Sequence, residues 1–189
     1  PAIDNAGGWE TLIQVQNAGD DDTGVIVFFW GEYSGKCPSN DPGPVGHDCK
    51  LVAENGVWPV EAQDIPSTAK SAIVYSVDED LFDQACDDAA YVLVEPNLLD
   101  PRSQSAKWRD WEDDYEGTGE PIAVIARRKG PNDYDTVVSS AYPGISENLE
   151  GSGPPYQYFA PYAMRQYHNL DTEIIIQNSG QGCASITLN

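Results

Sequence analysis

Basic residues are scarce in this chain: ten Lys and Arg stand against 31 Asp and Glu in 189 residues, giving a formal charge of -21 and a pI near 4.1. A polyanion of this density repels phosphate backbones, which excludes a nucleic-acid groove. Long apolar runs are also missing. The longest, such as Val25 to Trp30, fall far short of a bilayer span, so no membrane-crossing helix is expected. The chain starts at Pro1 and holds one methionine, Met164, with no charged-then-apolar leader. A processed chain, or a piece of a longer one, is the expectation. No G-x-S-x-G elbow or phosphate loop occurs, and the two histidines are His47 and His168. Nothing therefore points to nucleophile-and-base catalysis, and the chain reads as non-enzymatic. No N-x-Ser/Thr sequon is present either. Disorder is not expected, because 40% of residues are hydrophobic and five Trp and ten Tyr can fill a core.

The four cysteines fit an oxidising compartment. Cys37 and Cys49 bracket a stretch, 38–48, rich in Pro, Gly, Asn and Asp, which has little apolar content to order it. A Cys37–Cys49 disulfide is the expected staple, contributing on the order of 3 kcal/mol. Cys86 and Cys183 are left as a second candidate pair. Zinc competes poorly here, since His47 is the only nitrogen ligand nearby and no C-x-x-C spacing occurs.

The most informative feature is a self-match at an offset of 161 residues. The stretch from Trp9 to Gly19 aligns without a gap on that from Leu170 to Gly180. Thr11 falls on Thr172, Ile13 on Ile174, Val15 on Ile176, Gln16 on Gln177, Asn17 on Asn178 and Gly19 on Gly180. Apolar alternation then continues, Val25 and Val27 against Ile186 and Leu188. Each copy reads as a strand, a turn at Asn-x-Gly and a returning strand, that is, a β-hairpin. Residues 1–160 thus form one module, and 161–189 are the opening hairpin of a second repeat or a hairpin donated to a neighbour.

Strand signals dominate between the copies. Glu10–Gln16, Gly24–Tyr33, Gly56–Ala62, Lys70–Val77, Pro121–Arg128 and Tyr134–Ala141 read as strands. The second is apolar enough to be buried on both faces. Pro59 demotes the third to an edge. Segment 78–120 interrupts the pattern with two expected helices, Asp80–Tyr91 and Ser105–Tyr115, the latter carrying Trp108 and Trp111 on one side. This acidic insertion is expected to pack on one edge or end of an antiparallel β-sandwich. It holds 14 acidic and three basic side chains.

Within it Asp110, Glu112, Asp113, Asp114 and Glu116 are candidate oxygen ligands for Ca²⁺, although no complete EF-hand loop occurs and a solvated acidic face is the default. Trp108 and Trp111, with Tyr156, Tyr158 and Tyr162 from the Pro- and Tyr-rich stretch 154–162, are candidate stacking platforms for a surface glycan. The plainer reading of that stretch is a stiff connector between repeats. Asp110 and Glu112 could form the carboxylate pair of an acidic glycoside hydrolase, a third and weaker reading.

The pattern Trp9-x-Thr11-x-Ile13-x-Val15-Gln16-Asn17-x-Gly19, followed by an alternating apolar strand, resembles the tandem β-sandwich repeats of large secreted bacterial surface proteins. Those repeats are similar to immunoglobulin or fibronectin type III modules and serve as stalks, adhesins or envelope layers. The resemblance implies a secreted or cell-surface structural module whose partners are neighbouring repeats or copies of itself. It carries over no catalytic residue.

Overall fold

Residues 10–31, 43–131 and 137–143 are described in the computed structural model, with side chains described as far as Arg127. The first strand, β1 (Glu10–Asn17), alternates, turning Thr11, Ile13, Val15 and Asn17 inward. The next, β2 (Thr23–Gly31), is different: all five residues from Val25 to Phe29 are fully buried, as its unbroken apolar run predicts. Strands β3 (Gly46–Val52), β4 (Val57–Val60) and β5 (Ala69–Asp78) follow. A single 3₁₀ turn, Glu79–Leu81, leads into helix α1 (Phe82–Val92), and helix α2 spans Gln104–Tyr115. Strands β6 (Ile122–Pro131) and β7 (Val137–Pro143) complete the described chain.

These strands form two antiparallel sheets, one in the order β4-β1-β6-β7 and one in the order β3-β2-β5. One apolar cluster draws on both sheets: Ile13 and Val15 meet Val25, Val27 and Phe29, with Trp58 and Val60 from β4. Alternate residues of β2, Ile26 and Phe28, enter a second cluster with Tyr75 and Val77 of β5 and the inner faces of both helices. Fully burying each large apolar side chain stabilises the fold by about 1.5–3 kcal/mol, so β2, feeding both clusters, is the central apolar element.

Two sequence expectations are corrected here. β1 and β2 are not a hairpin, because they lie in different sheets; β1 pairs with β4 and β6, and β2 with β3 and β5. The acidic segment does not sit at an edge or end. Its helices cover the outer face of β3-β2-β5, which an all-apolar β2 leaves in need of a cover. The expected edge strand at Pro59 and the β6–β7 hairpin are present, whereas β3 falls within what reads as loop.

The helices follow from local chemistry. Asp78 accepts from the Asp80 amide at the start of the 3₁₀ turn, and Ser103 caps α2 by accepting from the Ala106 amide at 3.2 Å. Ala85, Ala89 and Val92 form the buried stripe of α1, and the small alanines let α2 approach closely. On α2, Trp111 donates from its indole nitrogen to the Ala85 carbonyl at 2.8 Å and meets Phe28 edge-on at 4.8 Å between ring centroids.

At the crossing from β1 to β2 the Asn17 side chain is fully buried. Its amide donates to the carbonyls of Asp21 at 2.7 Å and of Val52 and Ala53 at 3.2 Å, and its oxygen accepts from the Gly19 amide at 2.9 Å. One side chain thereby stitches the β1–β2 crossing to the β3–β4 crossing. A Cβ on Gly19 would collide with Glu120, so the Asn-x-Gly spacing has a steric reason as well as a polar one. Removing this amide leaves buried carbonyls without a donor. Asn17→Ala is expected to lower unfolding stability by about 2–4 kcal/mol in urea titrations followed by tryptophan emission. Asn17→Asp keeps the acceptor for Gly19 but should lose as much, because a carboxylate cannot donate. A loss below about 1 kcal/mol for both would show that the crossing is held by other groups.

Candidate functional site

The residues singled out in the acidic segment are placed by the fold in separate environments. Trp108 and Trp111 are only 4% and 3% exposed and belong to the cluster under the helices. They are core residues and offer no face to a glycan, because the three-residue spacing that aligns them also points them at β2. Trp108 stacks edge-on against Trp30 at 5.2 Å, and Trp111 meets Tyr75 at 5.1 Å. Tyr156, Tyr158 and Tyr162 lie outside the described residues.

The four acids of α2 and Glu116, which caps it, do not converge. Glu112 is buried and accepts from the Tyr75 hydroxyl, while Asp110 is exposed and paired with Arg102 at 2.6 Å. Asp113, Asp114 and Glu116 are exposed. Successive helical positions fan around the axis, so a run of acids cannot supply one coordination shell. The same separation undoes Asp110 and Glu112 as a carboxylate pair, since they face different surroundings.

Acids do gather elsewhere. A shallow open cleft of about 190 Å³ beside the β1–β2 crossing is lined by Asp21, Asp22, Asp78, Glu79, Asp80 and Glu120 with Thr118 and Gly119. Several of its polar groups already have work in the fold. Asp22 accepts from the Glu54 amide at 2.9 Å, and Thr23 donates to the Val77 carbonyl while accepting from the Glu120 amide. Here Asp22 and Glu120 anchor loops.

The connection between α1 and α2 presents Leu98 and Leu99 at 102% and 98% exposure. Such exposure comes from bracing. Asn97 accepts from the amides of Leu99 and Asp100, and Arg102 donates through its guanidinium to both Asp100 and Asp110. The Tyr91 hydroxyl also donates to Asp100. Lys107 lies beneath, donating to the Val94 carbonyl at 2.9 Å, with its ammonium 3.6 Å from Asp100 and 4.6 Å from the Tyr91 ring centre. Arg102, then Tyr91, hold the Asp100 carboxyl well below the usual carboxylate range, and bonding to Asp100 raises Tyr91 in turn. At the far end of α2, burial and a bond to Asp88 push Tyr115 up to about 12.

A third cluster was hidden by its setting. His47 and Cys49 alternate on β3, and Cys86 of α1 comes to meet them. One ligand atom from each lies within 4.8 Å of the other two, and among the described residues this is the one such His, Cys, Asp or Glu trio. Cys49 and Cys86 form a disulfide across 37 residues, with Cα atoms 6.1 Å apart. The Cys37–Cys49 pairing is therefore corrected: β3 carries Cys49 away from the loop before it and against α1. Cys86 is likewise taken from its expected partner Cys183; Cys37 and Cys183 lie outside the described residues. Burial lowers the His47 imidazole below its ordinary value, with Asp48 opposing. The signal available was His-x-Cys at strand spacing, masked by the neighbouring Pro, Gly and Asp.

Two outcomes separate these readings. Trp108→Ala and Trp111→Ala are each expected to cost about 3–5 kcal/mol, visible as a lower thermal midpoint; residues of an exposed glycan platform would leave the melt unchanged. For the loop, the sign follows from a folded-state pKa below the unfolded one. The contribution of Asp100 is fully present above the unfolded value and is lost as pH falls through the lower folded value. The Asp100 carboxyl carbon resonance should thus titrate well below pH 3.8, and Arg102→Ala should return it toward the ordinary range.

Comparison of this chain with protein-family models, curated proteins and solved structures finds no match.

Proposed function

We propose that this chain is a non-enzymatic structural module of an extracellular surface or filament-forming protein, a β-sandwich repeat that assembles end to end with its neighbours. The observation that carries this reading joins the repeat to the fold. Of the residues that recur 161 positions later, Thr11, Ile13 and Asn17 are fully buried, as is Val15, which recurs as Ile176. Gly19 recurs where a side chain would strike Glu120. Apart from the exposed Gln16, the recurring set is thus a folding framework, and residues repeated because they fold a module are what a serial architecture needs. Thr172, Ile174, Ile176, Asn178 and Gly180 would rebuild the same crossing in the next unit.

The rest of the surface suits that role. With 31 acids to ten bases, modules repel side by side and stay soluble, so contact is favoured at chosen points. Ca²⁺ would act in this reading between modules, screening acidic faces that otherwise repel. The disulfide fits a secreted or cell-surface location. The carbohydrate-binding alternative has lost Trp108 and Trp111 to the core and rests on the tyrosines of 154–162.

Light scattering and electron microscopy of the full chain test the proposal. Oligomers or fibres are expected, dispersed by deletion of residues 162–189 and, if Ca²⁺ bridges modules, also by chelation without a change in the melting of the single module. A chain that stays monomeric with and without that deletion would refute end-to-end assembly.

A further inference from the structure

The trio of His47, Cys49 and Cys86 has a chemistry that the disulfide alone does not use. Strand spacing sets His47 and Cys49 two apart on β3, and Cys86 arrives from a separate element, so the three converge by tertiary packing. Cys49 and Cys86 pack against the cluster that contains Phe28, and the His47 ring lies 6.4 Å from the Phe28 ring. These partners are apolar on one side, which leaves His47 little to bond. Its Nδ1 is buried and has no hydrogen-bond partner among the described residues. Buried polar atoms in native structures nearly always have one, and an exception asks for an explanation.

We propose that His47, Cys49 and Cys86 form a redox-gated site for a thiophilic divalent cation of the zinc class. Oxidised, the two sulfurs are spent on each other and the site is closed. A dithiol reductant opens it by exchange: one of its thiolates attacks one cysteine sulfur and releases the other cysteine, and its second thiol then attacks the mixed disulfide, releasing the first cysteine and closing the reductant into a cyclic disulfide. Two electrons and two protons pass to Cys49 and Cys86, which become free thiols. Zn²⁺ then replaces the two thiol protons and takes the imidazole nitrogen as its third ligand, with water completing four-coordination. Bonds of about 2.3 Å to sulfur and 2.0 Å to nitrogen place tetrahedral ligand atoms roughly 3.5–3.8 Å apart. Ligand atoms already within 4.8 Å reach that separation by side-chain rotation. Soft sulfur ligands select against Ca²⁺, so this site is chemically separate from the acidic surface.

Cobalt reports such a site directly. The full chain, reduced with a phosphine under inert gas, should bind one equivalent of Co²⁺ with a thiolate-to-cobalt charge-transfer band and the strong visible bands of tetrahedral geometry. Zn²⁺ should bleach both, and the oxidised chain should show neither. Cys49→Ser with Cys86→Ser should abolish the spectrum. His47→Ala should shift the visible bands and weaken Zn²⁺ binding by more than about tenfold. Bands that survive the double serine variant, or that ignore His47→Ala, would place the metal elsewhere and overturn the proposal. If reduction unfolds the chain, circular dichroism decides instead. Recovery of the native signal on adding Zn²⁺ supports the site, and a chain that stays unfolded with Zn²⁺ refutes it.

Discussion

The buried amide of Asn17 holds together the part of the molecule on which most of the remainder rests. Two chain crossings between sheets, β1 to β2 and β3 to β4, end at the same place, and each would leave backbone carbonyls turned away from water. A carboxamide both donates and accepts, and Asn17 meets both crossings with it, its NH₂ group shared among three carbonyls and its oxygen accepting from Gly19. The backbone adds its share, since the Asn17 amide donates to Gly56 and that of Ala18 to Pro121. Strand β1 is thereby seated between β4 and β6, and the acidic cleft is placed beside the crossing. Without that junction the two sheets would share a core but no common end.

The helices answer a different demand. A strand with five consecutive buried apolar residues cannot have one face in water, so β2 requires a layer on each side. The first is the other sheet; the second is α1 with α2. Most of the acid carried by segment 78–120 is then a consequence of geometry: the inner helix faces hold Ala, Val and aromatic groups, and the charges occupy what is left. Among the acids of α2, Glu112 is the exception, buried and met by Tyr75, and Lys107 is the one buried base of the same helix. The Cys49–Cys86 bond ties this layer to the edge strand β3, so the cover is both packed and covalently attached.

Much of the architecture was legible beforehand. Period-two alternation marked β1, the unbroken run marked β2, Pro59 marked an edge, the apolar, β-branched stretch Lys70–Val77 marked β5, and the alanine stripe marked α1. What escaped was everything decided at long range. Whether two strands joined by a short turn pair with each other or cross between sheets depends on partners far along the chain, and β1 meets β6 more than a hundred residues later. Strand β3 escaped because Gly46, His47 and Asp48 are poor strand formers that hydrogen bonding to β2 overrides. The missed strand hid Cys49's true neighbour, and with it the trio beside α1. Trp108 and Trp111 were misplaced for a simpler reason: aromatic pairs on a helix look alike whether they face solvent or core.

The central position of β1 has a consequence for the order in which the chain can be assembled. Glu10 pairs with Lys129 and Asn17 with Ile122, so β1 has no complete sheet until residues near 130 have emerged. Meanwhile β2, β3 and β5 can gather as one antiparallel unit, and the helices can close over it. High sequence separation between contacting strands slows folding and prolongs the time in which an open apolar edge is exposed. Dense negative charge then acts on time as well as on solubility, keeping unfinished chains apart until their late strands arrive.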